Sequence, residues 1–353
     1  MSFDIIKKLI TFRGLFFFIE TENIYIHKII QLLNEKKIDY KVVIKSKKKK
    51  FDSKRKNFFY LNKIEFFLLF LLNRDSKKIL FVSQPIYAIY YLFLNKFTLI
   101  ANDCHYGLPN ATFVKLFLEK FVIRNLSSII HRDLRLWKIY KKYLISKKNL
   151  LIPDYLNSTD QTIEKTNKVQ TSQNIYAAVL GWIDENEVKV TDTVIKLLKL
   201  GVRVHFYIPD ICFKEIKNFS TYIKKYYGDQ IEFKKFETHS KMISEISKFH
   251  IGICPHSKKN SKINSLYREN CSSSRIIDYI DAELTVLVSK KAFFQRFILN
   301  AHNANFFNIF DLDEIQSKEE LIAVLQTNKR EIFVKKKIFK KNYLSSSFEK
   351  FMN

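Results

Sequence analysis

The chain has 353 residues, 47% of them hydrophobic, with 61 Lys and Arg against 35 Asp and Glu and a formal net charge of +26. That composition excludes a disordered chain, and the length suits two domains that can each bury a core. Such a basic balance points to a polyanionic partner (nucleic acid, anionic lipid or a phosphorylated substrate) or to the Lys-, Ile- and Asn-rich usage of an AT-rich genome.

In chain order, Gly14 to Glu20 reads as a short buried strand. Thr21 can cap the following helix, whose apolar positions Ile24, Ile29, Ile30, Leu32 and Leu33 recur at helical spacing. Asp39 to Ser46 is the next strand, followed by a basic loop from Lys45 to Lys56. The apolar stretch Phe58 to Leu72 reads as a helix. Four further strands follow: Lys78–Gln84, Phe97–Asp103, Ser127–Asp133 and Asn149–Asp154. β-branched runs alternating with helices imply a parallel sheet covered on both faces.

Asn157 to Gln173 is polar and reads as a linker. The pattern then restarts, with strands at Asn174–Ile183, Val202–Asp210, Ile231–Glu237, His250–His256 and Leu284–Lys290 and a helix at about 191–200. The predicted fold class is α/β: two Rossmann-like doubly wound domains facing a cleft, residues 1–156 and 174–330, with a linker over 157–173 and a basic tail or helix over 331–353. In such folds ligands bind at the carboxyl ends of the strands.

The cysteines, Cys104, Cys212, Cys254 and Cys271, form no CxxC pair and read as reduced thiols of a cytosolic protein. His250, Cys254 and His256 lie close together, but no second ligand cluster accompanies them, so no metal is expected. The apolar run Ile64–Leu72 is about half the roughly 20 residues a spanning helix needs. The first twenty residues are interrupted by Lys7, Lys8 and Arg13 and lack the pattern of a signal peptide. The expected location is cytoplasmic, peripheral on the inner face of the membrane. There Lys47, Lys48, Lys49 and Lys50, followed by the apolar stretch, would rest on anionic lipid, each cation contributing roughly 1 kcal/mol.

Chemistry-bearing residues recur at strand ends in the second half: Gly181 and Trp182, Pro209 and Asp210, Phe236 and Glu237, Pro255 and His256. After them comes "SSSRIIDYID", Ser272 to Asp281, where Ser272, Ser273 and Ser274 offer caps for a helix starting near Arg275. The free N–H groups and positive dipole end of a helix start favour a phosphate. The dipole contributes only about 0.3–1 kcal/mol at an exposed site, so a pyrophosphate also needs a cation such as Arg275. In the first half, Asp103 and His105 follow a strand and are candidates for a general base. His131 to Asp133 close the next strand.

The ordered series "VLGW … VRVHFYIPD … IEFKKFE … ISKFHIGICPHSK … SSRIIDYIDAELTVLVS" resembles the carboxyl-terminal domain of GT-B glycosyltransferases of the family 4-like, group 1 type. Their series ends in a Lys-x-x-Glu-Tyr-x-x-x-Gly-x-Pro-Val-like helix and strand. By this resemblance Arg275 matches the family's basic residue, Asp278 the carboxylate that binds the donor ribose, and Tyr279 the family tyrosine. Gly181, Trp182, Pro209, Phe236, His256, Ser273 and Ser274 complete the implied donor-binding set. Glu283 stands in place of the usual glycine, Thr285 of proline, Asn270 of the first glutamate, and Trp182 of an arginine. The resemblance implies a nucleotide-sugar as substrate rather than cofactor, a glycan or lipid-linked acceptor, and metal-independent transfer in lipopolysaccharide or capsule assembly. Two alternatives stand beside it: a nucleic-acid-binding α/β protein, against which the basic residues are dispersed and no RNA-recognition, KH or zinc-finger signature is present, and a catalytically silent GT-B partner subunit.

Overall fold

The computed structural model describes residues 9, 11–12, 14–19, 24–46, 57–73, 79–94, 96–101, 111–154, 174–181, 188–189, 191–208, 217–235, 239–254, 256–257, 269–271, 273–327 and 335–352. It divides into two units, one of residues 1–154 with 341–353, the other of residues 155–340. The segment read as a linker lies outside the described residues.

The strands of the first unit are β1 (Leu15–Ile19), β2 (Tyr40–Lys45), β3 (Phe58–Leu61), β4 (Ile79–Ser83), β5 (Thr98–Ala101), β6 (Ser128–His131) and β7 (Lys148–Leu151). Its helices are α1 (Ile24–Glu35), α2 (Lys63–Leu72), a short turn of helix over 85–92, α3 (Phe113–Asn125), α4 (Leu134–Leu144) and the C-terminal α11 (Lys341–Met352). The sheet runs β3-β2-β1-β4-β5-β6-β7, every neighbour parallel. Strands covered on both faces must be apolar throughout, and β1, Leu-Phe-Phe-Phe-Ile, is buried at every position. Phe18, Phe70, Phe81 and Tyr91 interlock edge to face or tilted, with ring centroids of 5.0 Å for Phe18–Phe70 and 4.5 Å for Phe81–Tyr91.

The apolar stretch Phe58 to Leu72 is not the single helix that its sequence suggests. Residues 58–61 are not helical but form edge strand β3, in register with Val42 to Lys45. The helix starts only at Lys63, where Asn62 builds a capping box. Its side chain accepts from Ile64 and Glu65 N–H, and Glu65 returns to the Asn62 N–H. The terminal segment, read as a basic tail or helix, is helical over Lys341–Met352 and packs against α1 and β7, with Lys36–Glu349 at 3.2 Å.

The second unit has strands β8 (Tyr176–Leu180), β9 (Val188–Lys189), β10 (Arg203–Ile208), β11 (Ile231–Lys235), β12 (Ile251–Ile253), β13 (His256–Ser257), β14 (Thr285–Val288) and β15 (Phe306–Asn308). Its helices are α5 (Thr191–Lys199), α6 (Lys217–Tyr227), α7 (His239–Ile246), α8 (Ser274–Asp281), α9 (Phe293–Ala301) and α10 (Lys318–Thr327). The parallel sheet runs β11-β10-β8-β12-β14-β15, and β13 pairs antiparallel with β9. Both sheets start in the middle and wind outward in both directions, so each has a switch point: between β1 and β4, and between β8 and β12.

Helices α1, α5, α8 and α9 end alike. In each, one residue is left-handed: Lys37 (φ 52°), Gly201 (φ 74°), Glu283 (φ 55°) and Asn303 (φ 52°). Paired bonds such as Leu284 N–H to Tyr279 O and Glu283 N–H to Ile280 O close a Schellman motif. Glycine, the residue best suited to that conformation, supplies only one of these four ends. The place where the resembling family carries glycine, Glu283, does adopt the conformation glycine favours.

Candidate functional site

At the β8–β12 switch point the ladder opens. Strand β8 ends at Leu180, and Gly181 turns away with φ +77°, its N–H bonded to Tyr207 O at 2.9 Å. The crossover helix α8 begins beside this turn. A Cβ added at Gly181 would lie 3.4 Å from Arg275 Nη2 and 3.8 Å from its Cζ. The guanidinium, from the first turn of α8, therefore rests against bare backbone at a strand's carboxyl end.

The floor of the opening is Tyr279, fully buried on the same helix. Its hydroxyl accepts the Leu180 N–H at 3.1 Å and lies 2.9 Å from Ile253 O and 3.1 Å from Ala178 O. It thus joins β8 to β12 where they part, and burial holds its pKa well above the ordinary phenol value. The ring crosses β12 at Gly252, where an added Cβ would meet Tyr279 Cγ at 2.5 Å, so only glycine fits. Burial also pushes the Cys254 thiol up to about 12, which leaves it an unreactive packing residue.

Of the sequence-predicted donor residues, Gly181 and Arg275 meet, and Ser273 and Ser274 start the same helix. Ser273 occupies the N-cap but makes no side-chain cap bond, contrary to the expected capping role. Asp278, one turn further along, is half-buried and 2.8 Å from Nε2 of His239 at the start of α7. His239 was missed in the sequence, being 39 positions from its partner. Asn270 is buried. His256 lies in β13, its side chain outside the described residues, as are Trp182, Pro209, Phe236, Asp103, His105 and Lys47 to Lys50.

His131 to Asp133 serve the first unit's own structure. Asp133 caps α4 and holds Arg135, with Nη2 at 2.6 Å. His131 Nδ1 is 2.8 Å from Asp133 O, and burial lowers its pKa. Arg132 grips the buried Asp154 through Nε at 2.8 Å and Nη2 at 2.6 Å, with Lys28 at 3.8 Å.

Among the described residues no group of three or more His, Cys, Asp and Glu side chains could hold a metal. His250 Nδ1 accepts the Tyr176 N–H at 3.1 Å. The sequence also carries an Asp-x-Asp triplet at Asp311–Asp313, not among the expected site residues, and it has partners: Asn308 Nδ2 at 2.8 Å and Lys290 at 3.5 Å for Asp311, Lys196 for Asp313. It flanks a cavity of about 710 Å³ beside edge strand β15, which shares no lining residue with the Gly181–Arg275 site.

No protein-family model and no curated protein matches this chain. Solved structures do. TarM aligns with a TM-score of 0.53 at 12% identity over 81% of this chain, which spans only 58% of TarM's length. WaaB, a lipopolysaccharide outer core galactosyltransferase, gives 0.57 at 10% identity over 95% of this chain and 99% of its own. The UDP-GlcNAc 2-epimerase from Methanocaldococcus jannaschii gives 0.53 at 11% identity, with 96% and 99% covered. At these identities the likeness is one of fold. The chain has the GT-B type of fold, α/β with two Rossmann-like units, and its fold neighbours include a glycosyltransferase.

Proposed function

We propose that this protein transfers a sugar from a nucleotide-sugar donor to a glycan or lipid-linked acceptor in the assembly of a surface polysaccharide, lipopolysaccharide or capsule. The observation that carries this reading is the Arg275 guanidinium lying on Gly181 at the start of α8. A donor diphosphate placed there would meet the positive end of a helix and a cation with bare backbone beside it. Arg275 would offset the charge that builds on the departing diphosphate, an electrostatic role that needs no resident metal. Asp278 would accept the ribose hydroxyls, its second oxygen remaining when His239 holds the first. Trp182, Pro209, Phe236, His256, Ser273 and Ser274 would complete the donor pocket, and Asp103 or His105 would take the acceptor's proton.

The test is a thermal-shift screen of UDP, GDP, CMP and dTDP compounds. A ligand at about 100 times its Kd should add around 2.7 kcal/mol of stability. Arg275→Ala should abolish the shift, and Asp278→Ala should weaken it more than Asp281→Ala. No shift with any nucleotide would overturn the donor-site reading. A binder whose sugar is epimerised without any acceptor would replace transfer by epimerisation, the chemistry named for one fold neighbour.

A further inference from the structure

Three neighbouring elements on one face of the first sheet carry large apolar side chains outward as well as inward. α2 reads Lys-Ile-Glu-Phe-Phe-Leu-Leu-Phe-Leu-Leu and turns Phe66, Leu69 and Phe70 into the core. The turn over 85–92 buries Tyr91, and α3 buries Val122 and Ile123. A surface helix ordinarily shows water a polar side. Here the outward side carries Ile64, Leu72, Tyr90 (73% exposed), Phe93 (78%), Phe113 (83%) and Phe117. Ring contacts join the three elements: Phe67 to Tyr91 at 6.3 Å and Phe93 to Phe121 at 6.4 Å. The buried Tyr91 and half-buried Phe121 thus tie the three elements together beneath exposed Tyr90, Phe93, Phe113 and Phe117, and exposed apolar side chains gathered on neighbouring elements mark an interaction surface.

The charges on these elements are one-sided. Lys63, Lys115, Lys120 and Arg124, and Lys96 just past the 85–92 turn, are all at least partly exposed. Among the described residues of the three elements the carboxylates are Glu65 and Glu119, and both are engaged. Glu65 closes the Asn62 capping box at 3.1 Å, and Glu119 is buried, accepting the Tyr140 hydroxyl at 2.6 Å. A second copy of this chain would set these cations against themselves. An anionic surface that can also accept aromatic side chains fits both features.

We propose that the outer face of α2, the 85–92 turn and α3 docks on an anionic phospholipid bilayer, the rings entering the headgroup region and the cations meeting lipid phosphates. The inference is independent of the donor site, since its readout is lipid binding. It also places the contact on elements other than the Lys47–Lys50 segment.

The experiment is flotation of the full chain with vesicles of equal parts phosphatidylcholine and phosphatidylglycerol, against phosphatidylcholine alone. The wild type should float with the anionic vesicles only. A Tyr90→Ser, Phe93→Ser, Phe113→Ser, Phe117→Ser variant should stay behind with its unfolding midpoint unchanged. With each cation worth roughly fivefold near an anionic leaflet, a Lys96→Glu, Lys120→Glu, Arg124→Glu variant should lose about a hundredfold or more. Undiminished flotation of the aromatic variant would overturn the proposal. So would a wild type that ignores anionic vesicles, or that sediments as a dimer which the aromatic variant splits. Loss of binding on replacing Lys47 to Lys50 by Ser, with the aromatic variant unaffected, would move the contact to that segment and refute it as well.

Discussion

The two units share one winding and use it differently. In the first, β1 is Leu-Phe-Phe-Phe-Ile, and interlocked rings fill the layer between β1, β4 and α2. In the second, β8 is Tyr-Ala-Ala-Val-Leu, and its core is aliphatic around Val179, Val204 and Ile253. Small residues leave room for the one ring that crosses from α8, Tyr279, and for the bare turn at Gly181. The same strand order thus yields a packed aromatic block whose outer helices remain apolar, and an opening with a cation at its rim. Side-chain volume along the central strands makes the difference, because a parallel sheet buried on both faces has no other freedom.

Four substitutions would break or sharpen that contrast. The largest loss is expected from Phe70→Ala, which removes the ring touching Phe18, Phe81, Tyr91 and Phe97. It should cost about 3–5 kcal/mol in denaturant unfolding, and a loss within the roughly 0.5 kcal/mol of an ordinary surface substitution would show the ring stack is not the block's core. Asp154→Ala should follow closely. It strands Arg132 and Lys28 against a buried hole, a loss of about 3–5 kcal/mol for a buried pair broken on one side. Urea titration would check it, with Asp154→Asn retaining part of the stability.

Tyr279→Phe tests the second unit's opening. It keeps the ring on Gly252 but leaves the Leu180 N–H without its partner, which should cost about 1–3 kcal/mol. A neutral result would mean that β8 and β12 close the gap themselves. The smallest effect runs the other way. Glu283→Gly removes a left-handed non-glycine residue and should raise the unfolding free energy by up to about 1 kcal/mol. Calorimetry showing a loss instead would mean that the Glu283 side chain makes a compensating contact.

Most strands could be read directly. The apolar runs at β1, β4, β6, β8 and β14 are short and bounded by turn residues, which is how a strand covered on both faces looks. Strand β3 does not stand out in the sequence because Phe58–Leu61 and α2 form one apolar stretch. The signal that separates them, Asn62 with Glu65 three residues on, was present. So was the glycine inside β12, which marks a close approach but does not say that the visitor is Tyr279. Strand β15 is three residues at a sheet edge, too short for any period to show. The pairing of Asp278 with His239, and of Arg132 with Asp154, joins residues that no local pattern relates.

The order of apolar runs by itself determined the α/β class, the two-fold repeat of the strand-helix pattern and the candidate helix starting near Arg275, because burial on both faces leaves a direct imprint on composition. Only the tertiary structure decided which residues of that helix face what. Arg275 lies on Gly181, Tyr279 bridges two strands over Gly252, and Asp278 turns to His239. Those relations depend on where a helix of 3.6 residues per turn lands on a twisted sheet, which is set by packing between elements far apart in the chain.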